Sequence, residues 1–325
     1  MLEEPPEIPK TPLWRGSDAR LFAAALRIRL RQESLQGSFP DPDSEEFYFW
    51  VMNHGLRERP KEVKAFMPQL PRRSALRRTF GNRDFAAFLN VGSETTKKLL
   101  ALLRSAGLDP FAPRRVLDFG CGCARVLRFL APLGDRLDLW GCDIDRRAIA
   151  YCREEIGRAR FFSNRPEPPL LVADASYDWM YSISVLTHLS RPLHDAWIGE
   201  MRRVLAPGGF ATISIHGARA WERMRSDPAL RREMLIQERD LGAADEQWSR
   251  EGFAFLSHVT PKAYAHDEPY GLVFLRPEVL PTLWPGFEVI GQESGALSDW
   301  QDLILVRRAD LPAATGASME RRSEV

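Results

Sequence analysis

From Ser93 to Arg308 the chain alternates short apolar runs with amphipathic stretches of ten to fifteen residues, and this alternation narrows the fold more than any other feature. "RRVLDFG", "LDLWGCDID", "ARFFSN", "YDWMYSISVL" and "FATISIHG" read as strands. "ARVLRFLAPLG", "RRAIAYCREEIG" and "HDAWIGEMRRVL" read as the helices between them. Strands joined by helices are βαβ units, whose crossovers build a parallel sheet with helices on both faces. Toward the C-terminus, "YGLVFLRPEVL", "FEVIGQES" and "QDLILVRR" add β-rich sequence without a long intervening helix. That pairing predicts a terminal hairpin closing the sheet antiparallel. The expected class is α/β, a doubly wound sheet with a helical N-terminal segment.

The helical segment comes first in the chain. "DARLFAAALRIRLRQESL", from Asp18, has apolar residues spaced by three and four behind an Asp N-cap candidate. "EEFYFWVMNHGL" follows with Phe47, Tyr48, Phe49 and Trp50, which suit packing on the sheet better than lining a pocket. "SETTKKLLALLRSAGL" predicts a helix capped at Ser93 and stopped at Gly107. The expected division is 1–92 as a helical extension or substrate cap and 93–311 as the main domain. Within the latter, 219–269 is an insertion rich in charge and aromatics that could act as a lid. Residues 312–325 read as a disordered tail.

Composition excludes several classes of function. The 45 Lys and Arg against 44 Asp and Glu leave a formal charge of +1, so no global field recruits nucleic acid or an anionic membrane. No apolar run approaches the roughly 18 residues of a membrane span, and the acidic, Pro-rich start is no signal peptide. The 4 cysteines, Cys121, Cys123, Cys142 and Cys152, crowd one segment and serve poorly as staples. A reducing cytoplasm is expected.

The turn in "VLDFGCGCARVLRFL" carries the chemistry. In a doubly wound sheet, ligands bind at the carboxyl ends of the strands, where the first βα turn meets a helix. Gly120 and Gly122 let backbone approach a ligand, but Arg125 stands where a dinucleotide fingerprint needs its third glycine. Asp118, two residues before the first glycine, would repel a pyrophosphate and suits a cationic or hydrogen-bond-donating ligand. Asp143, 25 residues further at the tip of the second strand, can accept bonds from ribose hydroxyls. A cofactor with a ribose, a cationic amino-acid portion and no phosphate fits both acids, and S-adenosylmethionine is one.

The chain from about Ser93 to Arg308 resembles the class I S-adenosylmethionine-dependent methyltransferases of small-molecule type. "DFGCGCA" is similar to their first motif, "GCDID" to the acidic ribose position, "DASYDWMYSISVLTHL" to the fourth-strand motif and "RRVLAPGGFATISIHG" to the Pro-Gly-Gly turn before the fifth strand. The resemblance implies a Rossmann-like sheet with the terminal antiparallel hairpin. It also implies that Asp118, Gly120, Cys121 and Gly122 hold the methionine end. Asp143 would then bind the ribose, Ile144 pack on adenine, Asn164 read the adenine edge and Ser184 lie near the sulfonium.

His188 and His216 follow strands four and five, on the side where the methyl group must lie, and are the candidate catalytic residues. His194 opens a helix and reads as surface, while His258 and His266 belong to the insertion. A thiolate pair Cys121-x-Cys123 with Cys142 nearby could bind zinc, but small apolar packing suits these thiols better and no metal is expected. The acceptor is expected to be a small molecule, of natural-product or saccharide type. A catalytically silent cofactor-binding partner with the same fold is the alternative, and the oligomeric state is left open.

Overall fold

The computed structural model describes residues 45–58, 68–81, 83–133, 136–258 and 271–309. The helix expected from Asp18, the tail after residue 311 and His266 lie outside them. Helices α1 (Glu45–Glu58), α2 (Arg73–Thr79) and α3 (Phe85–Ser105) precede strand β1 (Arg115–Phe119) and the short helix α4 (Leu127–Leu130). Next come β2 (Asp138–Asp143), α5 (Arg146–Glu155), β3 (Arg160–Ser163), β4 (Tyr177–Ser182), α6 (Arg191–Val204) and β5 (Leu205–Ile215). The insertion contributes α7 (Ala218–Ser226), α8 (Pro228–Glu233), α9 (Leu241–Glu251) and β6 (Phe253–Ser257), followed by β7 (Gly271–Leu275). Strands β8 (Phe287–Leu297) and β9 (Gln301–Arg308) close the fold.

The main sheet has 7 strands in the order β3-β2-β1-β4-β5-β9-β8. The first five are parallel, and β9 and β8 join antiparallel, which is the doubly wound sheet with a terminal hairpin. The order reverses between β1 and β4, the place where such sheets open a crevice. The central strands are buried almost along their whole length, because helices cover both faces of the sheet and successive side chains enter opposite cores. On β9, Leu303 and Leu305 enter the core under α1 and α3, while Ile304 and Val306 enter the core under α6. Trp197, Ile198 and Met201 of α6 share that second core with Phe253, Val273 and Leu275 of β6 and β7.

Three local expectations change. The helix predicted from Ser93 begins at Phe85, capped by Asp84, whose Oδ1 accepts from the amides of Ala86 and Ala87 at 2.8 and 3.2 Å. Ser93 is fully buried in mid-helix, and position 92/93 therefore falls inside α3. "YGLVFL" does not join the terminal hairpin; β7 pairs antiparallel with β6 in a separate 2-stranded sheet. His194 is fully buried rather than on the surface: the first turn of α6 packs inward, and the Trp284 indole donates to its Nε2 at 3.3 Å. Burial lowers the pKa of that imidazole. The aromatic stretch of α1 packs as expected, with Phe47, Tyr48 and Phe49 buried and the Tyr48 hydroxyl donating to the Phe129 carbonyl at 2.7 Å.

Candidate active site

The Gly-rich turn leaves the end of β1 and folds back on β2. The amides of Gly120 and Cys121 both donate to the Cys142 carbonyl at 2.9 Å, and the Gly122 amide donates to Asp143 Oδ2 at 2.8 Å. Gly120 and Gly122 have φ of +78° and +53°, left-handed values that glycine tolerates. A Cβ on Gly120 would sit 2.2 Å from Val185 Cγ2, so the turn lies directly against the loop after β4. That close approach places Ser184 beside the cradle.

Asp118 is 4 % exposed, with Gly141 of β2 and Tyr181 of β4 as its register neighbours. Burial raises its pKa to about 8, opposed by the nearby Tyr181 hydroxyl and the Arg125 charge. The Tyr181 hydroxyl is buried close enough to this carboxyl to act on it. Among the described residues no cation forms an ion pair with this buried acid, which leaves it able to take one from a ligand.

Asp143 uses both oxygens on backbone: Oδ2 on Gly122, and Oδ1 on the Asp145 amide at 2.7 Å. Burial still raises its pKa, against those bonds. The Asn164 amide donates to the Asp143 carbonyl at 3.2 Å, and its Nδ2 donates to the Arg165 carbonyl at 2.7 Å. Its Oδ1 is buried and accepts nothing among the described residues. Ile144 lies half-buried between these two positions. Asp118, Gly120, Cys121, Gly122, Asp143, Ile144 and Asn164 therefore gather at the carboxyl ends of three adjacent strands. Ser184, at φ +60°, donates its amide to Ser214 Oγ at 2.7 Å and accepts from Gln301 Nε2 at 2.9 Å.

The two histidines are neighbours, with ring centroids 6.4 Å apart. His188 Nδ1 donates to the Gly271 carbonyl at 2.8 Å, and His216 Nδ1 donates to the Val273 carbonyl at 2.9 Å. Both acceptors belong to β7, so these rings tie the inserted hairpin to the ends of β4 and β5. Burial lowers the His216 pKa to about 3, helped by the His188 ring beside it, and the imidazole stays neutral. His258 is placed elsewhere, its Nδ1 donating to the Met234 carbonyl at 3.0 Å.

All 4 cysteines are buried as free thiols, and burial pushes the Cys121 and Cys142 thiols up. Tyr181 and Arg125 were not assigned to this site by the motif reading. The register of β4 against β1 is the signal that would have found Tyr181.

Residues 116–209 match the family model described as a methyltransferase domain. That segment carries the Gly-rich turn and both strand-end acids, so the match falls on the residues through which the sequence resembles the class I S-adenosylmethionine-dependent methyltransferases, and S-adenosylmethionine is the cosubstrate the resemblance implies. A trans-aconitate 2-methyltransferase of Methylobacterium nodulans is 29% identical over 139 residues, which are 41% of this chain and 49% of that protein. A ubiquinone biosynthesis O-methyltransferase of Roseobacter denitrificans is 28% identical over 112 residues, 34% of this chain and 44% of that protein. The chain thus spans about half the length of the curated relatives it matches. A solved S-adenosylmethionine-dependent methyltransferase from Clostridium acetobutylicum aligns over 67% of this chain and 92% of that one, at 8% identity and a TM-score of 0.46.

The residues present fit this cosubstrate. Among the described residues Asp118 is a buried carboxyl with no ion-pair partner, Asn164 Oδ1 is a buried acceptor without a donor, and Gly120 keeps clear the space a Cβ would fill.

Proposed function

We propose that the protein is an enzyme that moves a methyl group from S-adenosylmethionine to a small-molecule acceptor by in-line displacement, giving S-adenosylhomocysteine. The observation that carries this reading is the uncompensated Asp118 carboxyl one hydrogen-bonded turn away from Asp143. Together they suit a ligand with a cation at one end and a ribose at the other. When bound, the cosubstrate supplies an electrophilic methyl on a sulfonium. The chain's own residues then provide alignment and desolvation.

In this reading Asp118 holds the ammonium, with the main chain of Gly120, Cys121 and Gly122 alongside. Asp143 accepts from the ribose hydroxyls with the lone pairs its backbone bonds leave over. Ile144 packs on adenine, and Asn164 Oδ1 accepts from the adenine amine. Ser184, steadied by Gln301, faces the reacting end. Residues 1–92 and 219–269 cover the acceptor, which is of natural-product or saccharide type. The two curated relatives are named for small-molecule methylation, which supports a small acceptor. For a hydroxyl acceptor the base is His188, because a group at pKa about 3 such as His216 is poorly matched to proton abstraction at neutral pH. The enzyme works in the cytoplasm.

Calorimetry with S-adenosylmethionine should give a complex that Asp143→Ala largely abolishes; tight NAD binding instead would sink the reading. A catalytically silent cofactor-binding partner is the second reading, in which the two imidazoles serve only as tethers to the β7 carbonyls. Incubation of the protein with methyl-labelled cosubstrate and a bacterial metabolite extract separates the two. Label transferred to a small molecule supports the enzyme, while binding without transfer supports the partner.

A further inference from the structure

The Gly-rich turn does not end with its glycines. Ala124 closes it at φ +54°, a left-handed value that alanine, unlike glycine, adopts only under constraint. The Ala124 amide donates to the Cys121 carbonyl at 2.8 Å, so the shape of the turn depends on that conformation.

Arg128 of α4 supplies the constraint. Its Nε donates to the Ala124 carbonyl at 3.1 Å and its Nη2 to the Cys123 carbonyl at 2.9 Å. These two oxygens belong to the peptide planes on either side of the Ala124 Cα. The φ and ψ of a residue state how its two flanking planes are turned, so one guanidinium that grips both carbonyls sets both angles. A lysine ammonium is a point charge and has no such fork.

The setting of Arg128 is otherwise a poor one for a charge. The residue is fully buried and makes no ion pair among the described residues. Its further contacts are the Tyr151 hydroxyl of α5 at 3.0 Å and the Phe88 ring of α3, whose centre is 4.9 Å from the guanidinium carbon. Nη1 is buried without a hydrogen-bond partner. Arg231, also buried, instead holds the Glu238 carboxylate at 3.0 Å. An apolar side chain of similar volume would fill the place of Arg128 without a desolvated charge. What it would lack is the grip on the two carbonyls.

We propose that Arg128 is a positioning residue of the cofactor site, holding Ala124 left-handed and so keeping the Gly-rich turn in its ligand-binding shape before the ligand arrives. The inference rests on the S-adenosylmethionine reading for what the turn binds, and adds to it a residue that acts through the backbone. A ligand that binds only the preformed turn loses apparent affinity in proportion to the fraction of protein in that form. Left-handed alanine is disfavoured by a factor of roughly 5–30, and this is the range over which Arg128 can act. Glycine carries no such penalty, so Ala124→Gly makes Arg128 dispensable for binding.

The test is a double-mutant cycle read by calorimetric titration with S-adenosylhomocysteine, on wild type, Arg128→Met, Ala124→Gly and the double variant. Arg128→Met should weaken binding roughly 5- to 30-fold. Ala124→Gly alone, and the double variant, should both stay within about twofold of wild type. Arg128→Lys keeps the charge but not the fork. It should lose affinity in the same direction, be rescued by the same glycine, and carry the cycle should Arg128→Met not fold. Hydrogen exchange of the residue 124 amide in the ligand-free protein is the second readout: protection should fall in Arg128→Met and return in the double variant. A loss of affinity that is the same with alanine and with glycine at 124 overturns the proposal, because a residue that merely fills space would behave so. Full affinity in Arg128→Met overturns it as well. A wild type that does not bind S-adenosylhomocysteine overturns the cofactor reading instead, and the exchange pattern then decides whether Arg128 shapes the turn.

Discussion

At the scale of single residues, the site is defined by groups left incomplete. Asp118 has the clearest consequence. Its folded-state pKa of about 8 lies above the ordinary carboxyl value of 3.8, so the folded protein holds a proton there that the unfolded chain releases. Stability from this group is fully present below about pH 4 and is lost as pH rises toward 8. Thermal melts of the ligand-free protein should therefore show a downward trend between pH 5 and 8 that Asp118→Asn flattens. A cationic ligand favours the ionised form, so affinity for S-adenosylhomocysteine should climb by up to about tenfold per unit as pH rises toward 8. Proton release measured in buffers of different ionisation enthalpy checks the same point. The motif reading located Asp118 and Asp143 because acids flanking a glycine pair at strand ends have few other uses. It passed over Tyr181 and Arg125, since neither a buried hydroxyl close to an acid nor a guanidinium whose charge acts on that acid has any signature until the chain is folded.

At the scale of elements, strands were legible and boundaries were not. Short, nearly continuous apolar runs mark β1, β4 and β9, because strands covered on both faces bury almost every side chain. The start of α3 was missed because Gly92 interrupts "FAAFLNVGSETT", and a glycine there reads as a break before the Ser93 cap. The reason for Gly92 is tertiary: the Arg125 carbonyl occupies the place of its Cβ. Gly92→Ala should therefore destabilise the fold by roughly 1–3 kcal/mol through overpacking, although helix propensity alone would favour alanine by ~1 kcal/mol. Urea melts decide the sign. The pairing of β7 with β6 was equally hidden, because the apolar run of β7 suits either sheet. The tethers from His188 and His216 supply the missing constraint. His216→Ala should cost about 1–3 kcal/mol in the local stability of the hairpin, seen as faster hydrogen exchange at residues 253–257 and 271–275.

For the molecule as a whole, the first helices behave as part of the main core. Tyr48 and Phe49 of α1 and Leu99 and Leu103 of α3 share one cluster with Val116, Trp179 and Leu305 of the sheet. We propose that the main domain cannot be isolated from them. A fragment beginning at Gly107 should lack the near-ultraviolet circular dichroism of fixed tryptophans and should bind a hydrophobic dye, as expected of an uncovered sheet face. A fragment with native spectra would make the N-terminal helices a dispensable cap. The other face of the sheet is covered differently. There the inserted hairpin is gripped through the carbonyls of Gly271 and Val273, groups that every amino acid possesses. The clasp is blind to what β7 is made of. What the strand is made of is fixed elsewhere, by the two cores that its buried side chains enter, so position and composition of the roof are under separate control.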